Sequence, residues 1–335
     1  MTLVSRSPVR ISFGGGGTDL ASYYEKYGGV VVSAAIDKYF YTILELRQDD
    51  RIQIISSDLQ INKLVKDYHR LKYGEGLDIP MAVLKHFNVQ RGMNLFMASE
   101  IPPGTGLGSS GAVTVNIINI VNTLEHLKLS KHEIAELAYK IEFEELGLPI
   151  GKQDEYASAF GGVNFMTFKK DKVEVKPLKA PKEIRMRLED DIMLFFTGST
   201  RQSSKILRSQ DSSTKEDKEV VVESLHKIKD LAMDIKKAIE TGDLMEFGRL
   251  LDVSWQNKKK LASGITNKRI DSLYEIAKSK GAVGGKLTGA GGGGYMMLFC
   301  RKQHQKAVRK ALMAEGLVQL DFRFDFKGAK TIKGE

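Results

Sequence analysis

Residues 103–111 read Pro-Gly-Thr-Gly-Leu-Gly-Ser-Ser-Gly and lead directly into a helical pattern. Glycines let the backbone approach a ligand closely, and the first turn of a helix offers unpaired N–H groups and positive potential to an anion. Serine hydroxyls can bond a phosphate oxygen or ligate magnesium. The segment therefore predicts a phosphate-binding loop. Its residues are Pro103, Gly104, Gly106, Leu107, Gly108, Ser109, Ser110 and Gly111.

A second glycine-rich segment, residues 286–294, reads Lys-Leu-Thr-Gly-Ala-Gly-Gly-Gly-Gly and lies far downstream. Two such segments are expected to close around one ligand.

The first glycine-rich segment, residues 103–111, lacks the Gly-Lys-Ser/Thr of a P-loop. It contains the dinucleotide fingerprint G-x-G-x-x-G at residues 106–111, but two prolines separate these glycines from the preceding strand pattern. The expected acidic residue could only be Glu125, inside a helix pattern. A NAD-binding oxidoreductase is therefore the weaker interpretation.

Three segments resemble, in order, the three motifs of the GHMP kinases, the superfamily of galactokinase, homoserine kinase, mevalonate kinase and phosphomevalonate kinase. The first segment is residues 7–19, Ser-Pro-Val-Arg-Ile-Ser-Phe-Gly-Gly-Gly-Gly-Thr-Asp, and the others are 103–111 and 286–294. The resemblance covers essentially the whole chain. With residues 151–156 and 159–162, the first segment resembles the heptose 7-phosphate kinase branch, whose near relatives are sugar kinases of the fucokinase type.

The order of predicted elements indicates an α+β protein, because strands are too many for a helical bundle and do not alternate strictly with helices. A capping box at Ser130 begins one helix, and another helix is predicted around residues 61–72. The resemblance implies a two-domain GHMP kinase fold. Residues 1–180 would form an ATP-binding domain like the second domain of ribosomal protein S5, and residues 181–335 a ferredoxin-like domain, with ATP and its acceptor in the cleft between them.

Phosphoryl transfer to a hydroxyl needs a carboxylate near that hydroxyl and a cation near the transferred group. Asp154 matches the catalytic aspartate of the superfamily, although the sequence alone would equally allow a helix N-cap. Arg10 precedes Asp19 by nine residues, the spacing of a basic residue and a sugar-binding aspartate in galactokinases. The resemblance implies that Arg10 stabilises charge beside Asp154. The alternative is a surface arginine on an edge strand.

The acceptor sugar is expected against the first and third motifs. Asp19 would hold sugar hydroxyls, with a turn or capping role as the alternative. Galactokinases carry Glu-His where this chain has Gly16 and Gly17, which argues against galactose. Arg201 follows a Gly-Ser-Thr turn and suits an acceptor that already bears a phosphate, with an exposed arginine on an N-capped helix as the equal alternative. The predicted sugar-binding residues are Gly16, Gly17, Thr18, Asp19, Lys152, Gln153, Arg201, Gly289, Ala290 and Gly291.

Magnesium prefers hard oxygen ligands and needs few from the protein when it bridges the phosphates of ATP. Ser110 and Glu142 are the predicted ligands. Glu142 lies twelve residues before Asp154, close to the glutamate-to-aspartate spacing of mevalonate kinases. Glu144 and Glu145 are the alternatives. The six histidines show no metal-binding spacing.

The 335-residue chain has a formal net charge of +9. Its basic residues are mixed with acidic ones along helical patterns, and residues 258–260, Lys-Lys-Lys, form too short a run to indicate nucleic-acid binding. Attraction of anionic substrates explains the charge. No segment is apolar enough to span a bilayer, and the single cysteine, Cys300, fits a reducing cytoplasm.

The predicted function is that of an ATP- and Mg²⁺-dependent kinase acting on the anomeric hydroxyl of D-glycero-D-manno-heptose 7-phosphate, for activated heptose in surface glycans. Its partners are expected to be small molecules, with no nucleic acid and no membrane, and the chain is expected to be a monomer or homodimer. A fucose kinase or another small-molecule kinase would keep the same motifs. A non-catalytic sugar sensor would typically lose the carboxylate or the loops, and both are present.

Overall fold

The computed structural model describes residues 1–74, 76–200 and 203–334. The helices in these ranges are α1 (Ala21–Tyr27), α2 (Asp78–His86), α3 (Ser109–Leu124), α4 (Lys131–Lys140), α5 (Gln153–Phe160), α6 (Lys182–Asp191), α7 (Ser203–Lys215), α8 (Glu219–Thr241), α9 (Leu244–Lys258), α10 (Lys268–Ser279) and α11 (Lys302–Ala314). A 3₁₀ turn covers Tyr68–Arg70, and α4 continues into a π-helical turn over Ile141–Glu145.

The strands of the same ranges are β1 (Thr2–Gly14), β2 (Gly29–Leu46), β3 (Ile52–Ser56), β4 (Ile61–Val65), β5 (Met93–Ser99), β6 (Val163–Lys169), β7 (Lys172–Pro177), β8 (Ile192–Phe196), β9 (Gly284–Leu287), β10 (Tyr295–Phe299), β11 (Val318–Leu320) and β12 (Lys330–Lys333). They form two sheets, and helices pack against both. The predicted α+β class is confirmed, and the strands are divided between two sheets as a two-domain architecture requires.

The larger sheet is organised around the long strand β2. One edge of β2 pairs with β1, which also pairs with β12; the other edge pairs with β6 along its first half and with β5 along its second half. The path then runs from β5 through β3 to β4, while β7 extends from β6. The smaller sheet has the strand order β11-β8-β10-β9 and is antiparallel among the described strands.

One expectation differs from the structure. The helix predicted around residues 61–72 is wrong, because residues 61–65 form β4 and pair with β3 across a tight turn. A short apolar run of this kind is compatible with a helix or a strand, and here the pairing with β3 determines its conformation. The domain boundary at residue 180 stays a prediction; β12, which follows it in the chain, joins the first sheet beside β1.

An aromatic contact joins the two halves of the molecule. Phe13, near the end of β1, meets Phe247 of α9 edge to face with a centroid distance of 5.4 Å, and Phe247 meets Phe299 of β10 at 5.5 Å. All three rings are fully buried. Aromatic pairs in this geometry contribute beyond the apolar area they bury. One continuous apolar core therefore includes residues of both sheets.

We expect Phe247→Ala to lower the free energy of unfolding by about 3–5 kcal/mol, because it leaves a cavity where the two sheets share their core. Urea titration would measure the loss. Trp255, the single tryptophan, lies in α9, so its fluorescence and far-UV circular dichroism should report one common midpoint. Two separate midpoints in the wild type would contradict a shared core. Met313→Ala, at an exposed position of α11, is the matched control.

Candidate active site

The three sequence motifs meet around one cavity of ≈ 180 Å³. Residues of β1, the loop after it, the start of α3 and the start of α5 form one wall, and residues of α7, α9 and the loop after β9 form the other. Thirteen of the predicted site residues line it: Arg10, Gly16, Gly17, Asp19, Gly104, Gly106, Gly108, Ser109, Ser110, Gln153, Asp154, Gly289 and Ala290.

Arg10 and Asp154 form an ion pair at the centre of the cavity. Both contacts use one oxygen, Asp154 Oδ1, which lies 2.8 Å from Arg10 Nε and 2.5 Å from Nη2. Asp154 is in the first turn of α5, whose N-cap is Lys152, so the N-cap alternative for Asp154 does not hold. Oδ2 faces Gly108, where a Cβ would lie 3.1 Å away. Arg10 thus engages Oδ1, while Oδ2 lies toward the first glycine-rich loop.

The first glycine-rich loop ends at the N-terminus of α3. Gly108 is the N-cap in the left-handed region (φ 79°), and no side chain caps the helix. The free N–H groups of the first turn and the helix dipole favour an anion there. Ser109 Oγ is buried, lines the cavity and has no partner among the described residues. This arrangement fits a phosphate group.

The two glycine-rich loops contact each other through their backbones. A Cβ on Gly106 would lie 2.5 Å from the carbonyl oxygen of Thr288, and a Cβ on Gly289 would lie 2.6 Å from Gly106 Cα. Both glycines also have positive φ, at 83° and 63°. Only glycine satisfies both conditions. The close contact joins the second and third motifs across the cavity.

Asp19 is held beside the same cavity by three donors. Its Oδ1 accepts from Gly17 N at 2.9 Å, and its Oδ2 accepts from Gln153 Nε2 at 3.0 Å and from Gln153 N at 3.2 Å. Burial and, secondarily, the nearby carboxylate of Asp154 raise the pKa of Asp19. Gly151 packs on this carboxylate without room for a Cβ. Asp19 thus both orders its turn and presents an acceptor to the cavity.

Glu142 lies behind the phosphate loop in the π-helical turn. It is fully buried, and its carboxylate accepts from Ser110 Oγ and, at 2.6 Å, from Thr114 Oγ1. Burial, which outweighs these hydrogen bonds, raises the pKa of Glu142 to about 7. Glu144 and Glu145 are exposed, and Glu145 pairs with His86 instead. Of the three glutamates, Glu142 is therefore the one that the structure places beside Ser110.

Two side chains predicted to bind sugar, those of Thr18 and Lys152, lie outside the cavity. Thr18 is fully buried, and its hydroxyl donates to the carbonyls of Gly15 and Val30 and accepts from Val30 N. Lys152 points away from the cavity, where its ammonium donates to both oxygens of Glu136 at 2.9 and 2.8 Å. Their polar atoms are already engaged elsewhere, so neither side chain is placed to contact a sugar.

Other predicted residues support the loops without lining the cavity. Leu107 is fully buried, Gly111 packs against Asp154 Cβ, and Gly291 packs against Ile265. Pro103 lines a neighbouring cavity. Arg201 lies outside the described residues, so its role remains a prediction from the sequence.

The sequence interpretation missed two lysines that line the cavity, Lys258 and Lys286. Lys258 was part of a short basic run that resembles a solvated surface. Lys286 is almost fully buried and is the single charged residue between Ala282 and Cys300. A charge isolated in an apolar, glycine-rich stretch was the signal that could have identified it, because an isolated lysine is rarely buried without a function.

A buried arginine–aspartate pair beside an uncapped helix N-terminus defines a site for phosphoryl transfer to a hydroxyl. Residues 72–162 match the family described as GHMP kinases N terminal domain, and residues 235–318 match GHMP kinases C terminal. The chain is 35% identical to D-glycero-alpha-D-manno-heptose 7-phosphate kinase of Campylobacter jejuni, over 98% of both chains. It is 30% identical to mevalonate kinase of Pyrococcus abyssi, over 91% of this chain and 92% of that one.

The structural comparison agrees. The crystal structure of a D-glycero-D-manno-heptose 1-phosphate kinase from Bacteroides thetaiotaomicron matches with a TM-score of 0.84 and 31% identity, covering 99% of each chain. The chain belongs to the GHMP kinases, and the predicted ATP-dependent phosphotransferase activity is confirmed. Among the described residues, no helix is both long and apolar enough to cross a membrane.

The raised pKa of Glu142 predicts a pH-dependent stability. Between about pH 4.5 and 7 the unfolded state loses this proton while the folded state keeps it, so the contribution of Glu142 to stability falls as pH rises. Glutamine imitates the protonated acid. Ligand-free Glu142→Gln should therefore melt several degrees above wild type near pH 8 and close to wild type near pH 5, as measured by differential scanning fluorimetry.

The exposed neighbour Glu144 supplies the control, because Glu144→Gln should change Tm little at either pH. A Tm difference for Glu142→Gln that is independent of pH would show that the variant acts through packing and not through the proton.

Proposed function

We propose that this chain transfers the γ-phosphoryl group of ATP to the anomeric hydroxyl of D-glycero-D-manno-heptose 7-phosphate, for activated heptose in surface glycans. The observation that carries the proposal is Asp154 Oδ2, facing the phosphate loop while Arg10 occupies Oδ1. The relatives from C. jejuni and B. thetaiotaomicron are both named as heptose phosphate kinases. Their names place the phosphate differently, at position 7 and at position 1.

The loop and a second cavity together accommodate ATP. The second cavity, of ≈ 210 Å³, shares Gly104, Ser109 and Ser110 with the first. Its remaining wall is mainly apolar and includes Met97 and Pro80. An apolar slot beside an anion site suits a purine base next to its phosphates. We therefore place the nucleoside in this slot and the phosphates at the N-terminus of α3.

Magnesium fits the residues beside the loop. Ser110 Oγ and the Glu142 carboxylate supply hard oxygen ligands, and Glu142 has hydroxyl donors but no cationic partner among the described residues. No group of three or more His, Cys, Asp or Glu in the described ranges is arranged to hold a metal by itself. When bound, Mg²⁺ would be held by Ser110 and Glu142 and would neutralise the charge of the ATP phosphates.

The transfer step then uses the central ion pair. Asp154 Oδ2 accepts the proton of the attacking hydroxyl, or orients that hydroxyl, while Arg10 fixes the carboxylate and places positive charge beside the transferred group. The anomeric hydroxyl is the most acidic hydroxyl of a reducing sugar, so a carboxylate can most readily deprotonate that one. Asp19 and Gln153 lie next to Asp154 and face the sugar. The absence of a side chain at Gly16 leaves space beside Ser12 and Gln153, whereas Gln210 occupies the space beside Gly17.

A coupled assay of ADP release over a panel of sugars tests the proposal. We expect heptose 7-phosphate to give the highest kcat/KM, and ³¹P NMR should show the new phosphate on the anomeric carbon. Unphosphorylated heptose, fucose, galactose and mevalonate are the comparisons. A preference for fucose or for unphosphorylated heptose would overturn the assigned acceptor and leave the kinase chemistry intact.

Asp154→Asn should lower kcat by roughly 100-fold or more, because the amide cannot accept the proton, while Kd for ATP stays near the wild-type value. Asparagine keeps the volume and one acceptor for Arg10, so folding should be preserved. Asp171→Asn, in the turn between β6 and β7, is the matched control. Near-normal turnover by Asp154→Asn would exclude Asp154 from proton transfer.

A further inference from the structure

Two lysines that line the same cavity as Asp154 have no part in the mechanism described so far. Lys258, the last residue of α9, donates from Nζ to the carbonyl oxygens of Leu287, at 3.4 Å, and Gly289. Lys286, in β9, donates from Nζ to the carbonyl oxygen of Phe13 at 3.2 Å. Both line the cavity. In the described part of the chain, these ammonium groups are bonded to carbonyls and are not ion-paired with a carboxylate.

The positive charges of Lys258, Lys286 and Arg10 disfavour one another. Burial and, next, the nearby Arg10 lower the pKa of Lys258 to about 7. Burial, Lys258 and Arg10 lower the pKa of Lys286 well below its ordinary value. Like charges brought together in a partly dry cavity repel, and the repulsion ends when an anion binds between them. The wall is therefore short of negative charge when no ligand is bound.

The position of the lysines identifies the end of the cavity to which they belong. Glu142 lies within electrostatic range of Asp154 on the side of the phosphate loop, and Asp19 lies within range of Asp154 on the side of the first motif. Lys286 Nζ bonds the carbonyl of Phe13, just before the turn of the first motif that ends at Asp19, and Lys258 is in electrostatic range of Arg10 and, more weakly, of Asp19. The lysines consequently lie toward the sugar end, whereas the phosphates of ATP already have the loop, Ser109 and the N-terminus of α3.

Two neutral hydrogen-bond donors also line this cavity. Ser12 Oγ and Gln210 Nε2 have no partner among the described residues, although both side chains are almost completely buried, at 4% and 5% exposure. Buried polar groups are normally hydrogen-bonded. A hydroxyl and an amide N–H near two ammonium groups form a donor set that suits the oxygens of a phosphate monoester and of a sugar.

We infer that Lys258 and Lys286 form the subsite for the phosphate that the acceptor already carries, a phosphate monoester dianion. The inference rests on the proposed function, because only a phosphorylated acceptor supplies that group. Binding energy from the remote phosphate positions the anomeric hydroxyl at Asp154. The subsite also gives the enzyme a basis for selecting heptose phosphate over the free sugar.

Steady-state kinetics of Lys258→Met and Lys258→Arg test the subsite. Methionine keeps the apolar stem and removes the charge, so KM for heptose 7-phosphate should rise about tenfold or more, with kcat and the KM for ATP within about threefold of wild type. Activity on unphosphorylated heptose should not change. Lys258→Arg should recover most of the affinity. Lys260→Met, two residues away and exposed, is the matched control and should behave as wild type.

Two kinetic outcomes would overturn the inference. An equal fall of kcat on phosphorylated and unphosphorylated heptose would place Lys258 at the transferred group, and unchanged KM for heptose 7-phosphate would remove it from recognition. Lys286→Met changes a more deeply buried position, so circular dichroism would first establish that it is folded. Folded Lys286→Met that retains the wild-type KM for heptose 7-phosphate would exclude this residue from the subsite.

A binding measurement separates this inference from the proposed substrate. Inorganic phosphate is titrated calorimetrically into wild type saturated with a non-hydrolysable ATP analogue and Mg²⁺, so that the nucleotide site is filled. Wild type should bind phosphate, Lys260→Met should bind it equally, and Lys258→Met should bind it at least about tenfold more weakly. If wild type and Lys258→Met bind phosphate equally, the phosphate is an adventitious ion only, and this result would overturn the subsite. If wild type does not phosphorylate heptose 7-phosphate but the phosphate is bound as expected, the proposed acceptor fails and the anion subsite stands.

Discussion

The guanidinium of Arg10 is the contact on which the active site depends. The guanidinium donates to Asp154 Oδ1 and, at 2.7 Å, to the carbonyl of Gly106. The backbone N–H of Arg10 donates to Leu107 O at 2.8 Å. A buried arginine is stable only when its donors are satisfied. One strand residue therefore fixes the first glycine-rich loop and the carboxylate proposed to be catalytic in a single arrangement. Gly108 completes it, because a Cβ there would lie 3.3 Å from Arg10 Cγ and 3.1 Å from Asp154.

Features that depend only on residues close together in the chain can be predicted from the sequence. The capping box at Ser130 is present with both of its reciprocal bonds to Glu133, and the glycine-rich loop precedes α3 as its composition indicates. The segment 61–65 fails for the opposite reason. Its apolar spacing is compatible with a helix, but pairing with β3 in the sheet determines its conformation. Where a partner strand supplies backbone hydrogen bonds, strand pairing outweighs the local preference for a helix.

The site itself is predictable only in part, because its members are distant in the chain. Arg10 and Asp154 are separated by 144 residues, and no local pattern joins them; only the resemblance to a family paired them. Lys258 illustrates what neither local pattern nor resemblance provided. Its importance arises when the end of α9 meets the loop after β9, and that contact is invisible in a run of three lysines. Thr18, predicted from its motif to bind sugar, uses its hydroxyl on backbone groups of its own turn and of Val30 in β2.

Charged forms are disfavoured at two places in the ligand-free protein. Glu155 is 1% exposed with Oε2 unpartnered among the described residues, and burial together with the nearby Glu142 raises its pKa well above the ordinary value. Burial and neighbouring positive charge lower the pKa of Lys258 and Lys286, which line the cavity. A bound cation would favour the charged form of the carboxyl, and a bound anion the charged forms of the lysines. Functional sites commonly sacrifice stability in this way. Because ligands that bind only the folded state stabilise it, the nucleotide with its cation and the phosphorylated acceptor would each return part of the stability that the empty cleft lacks.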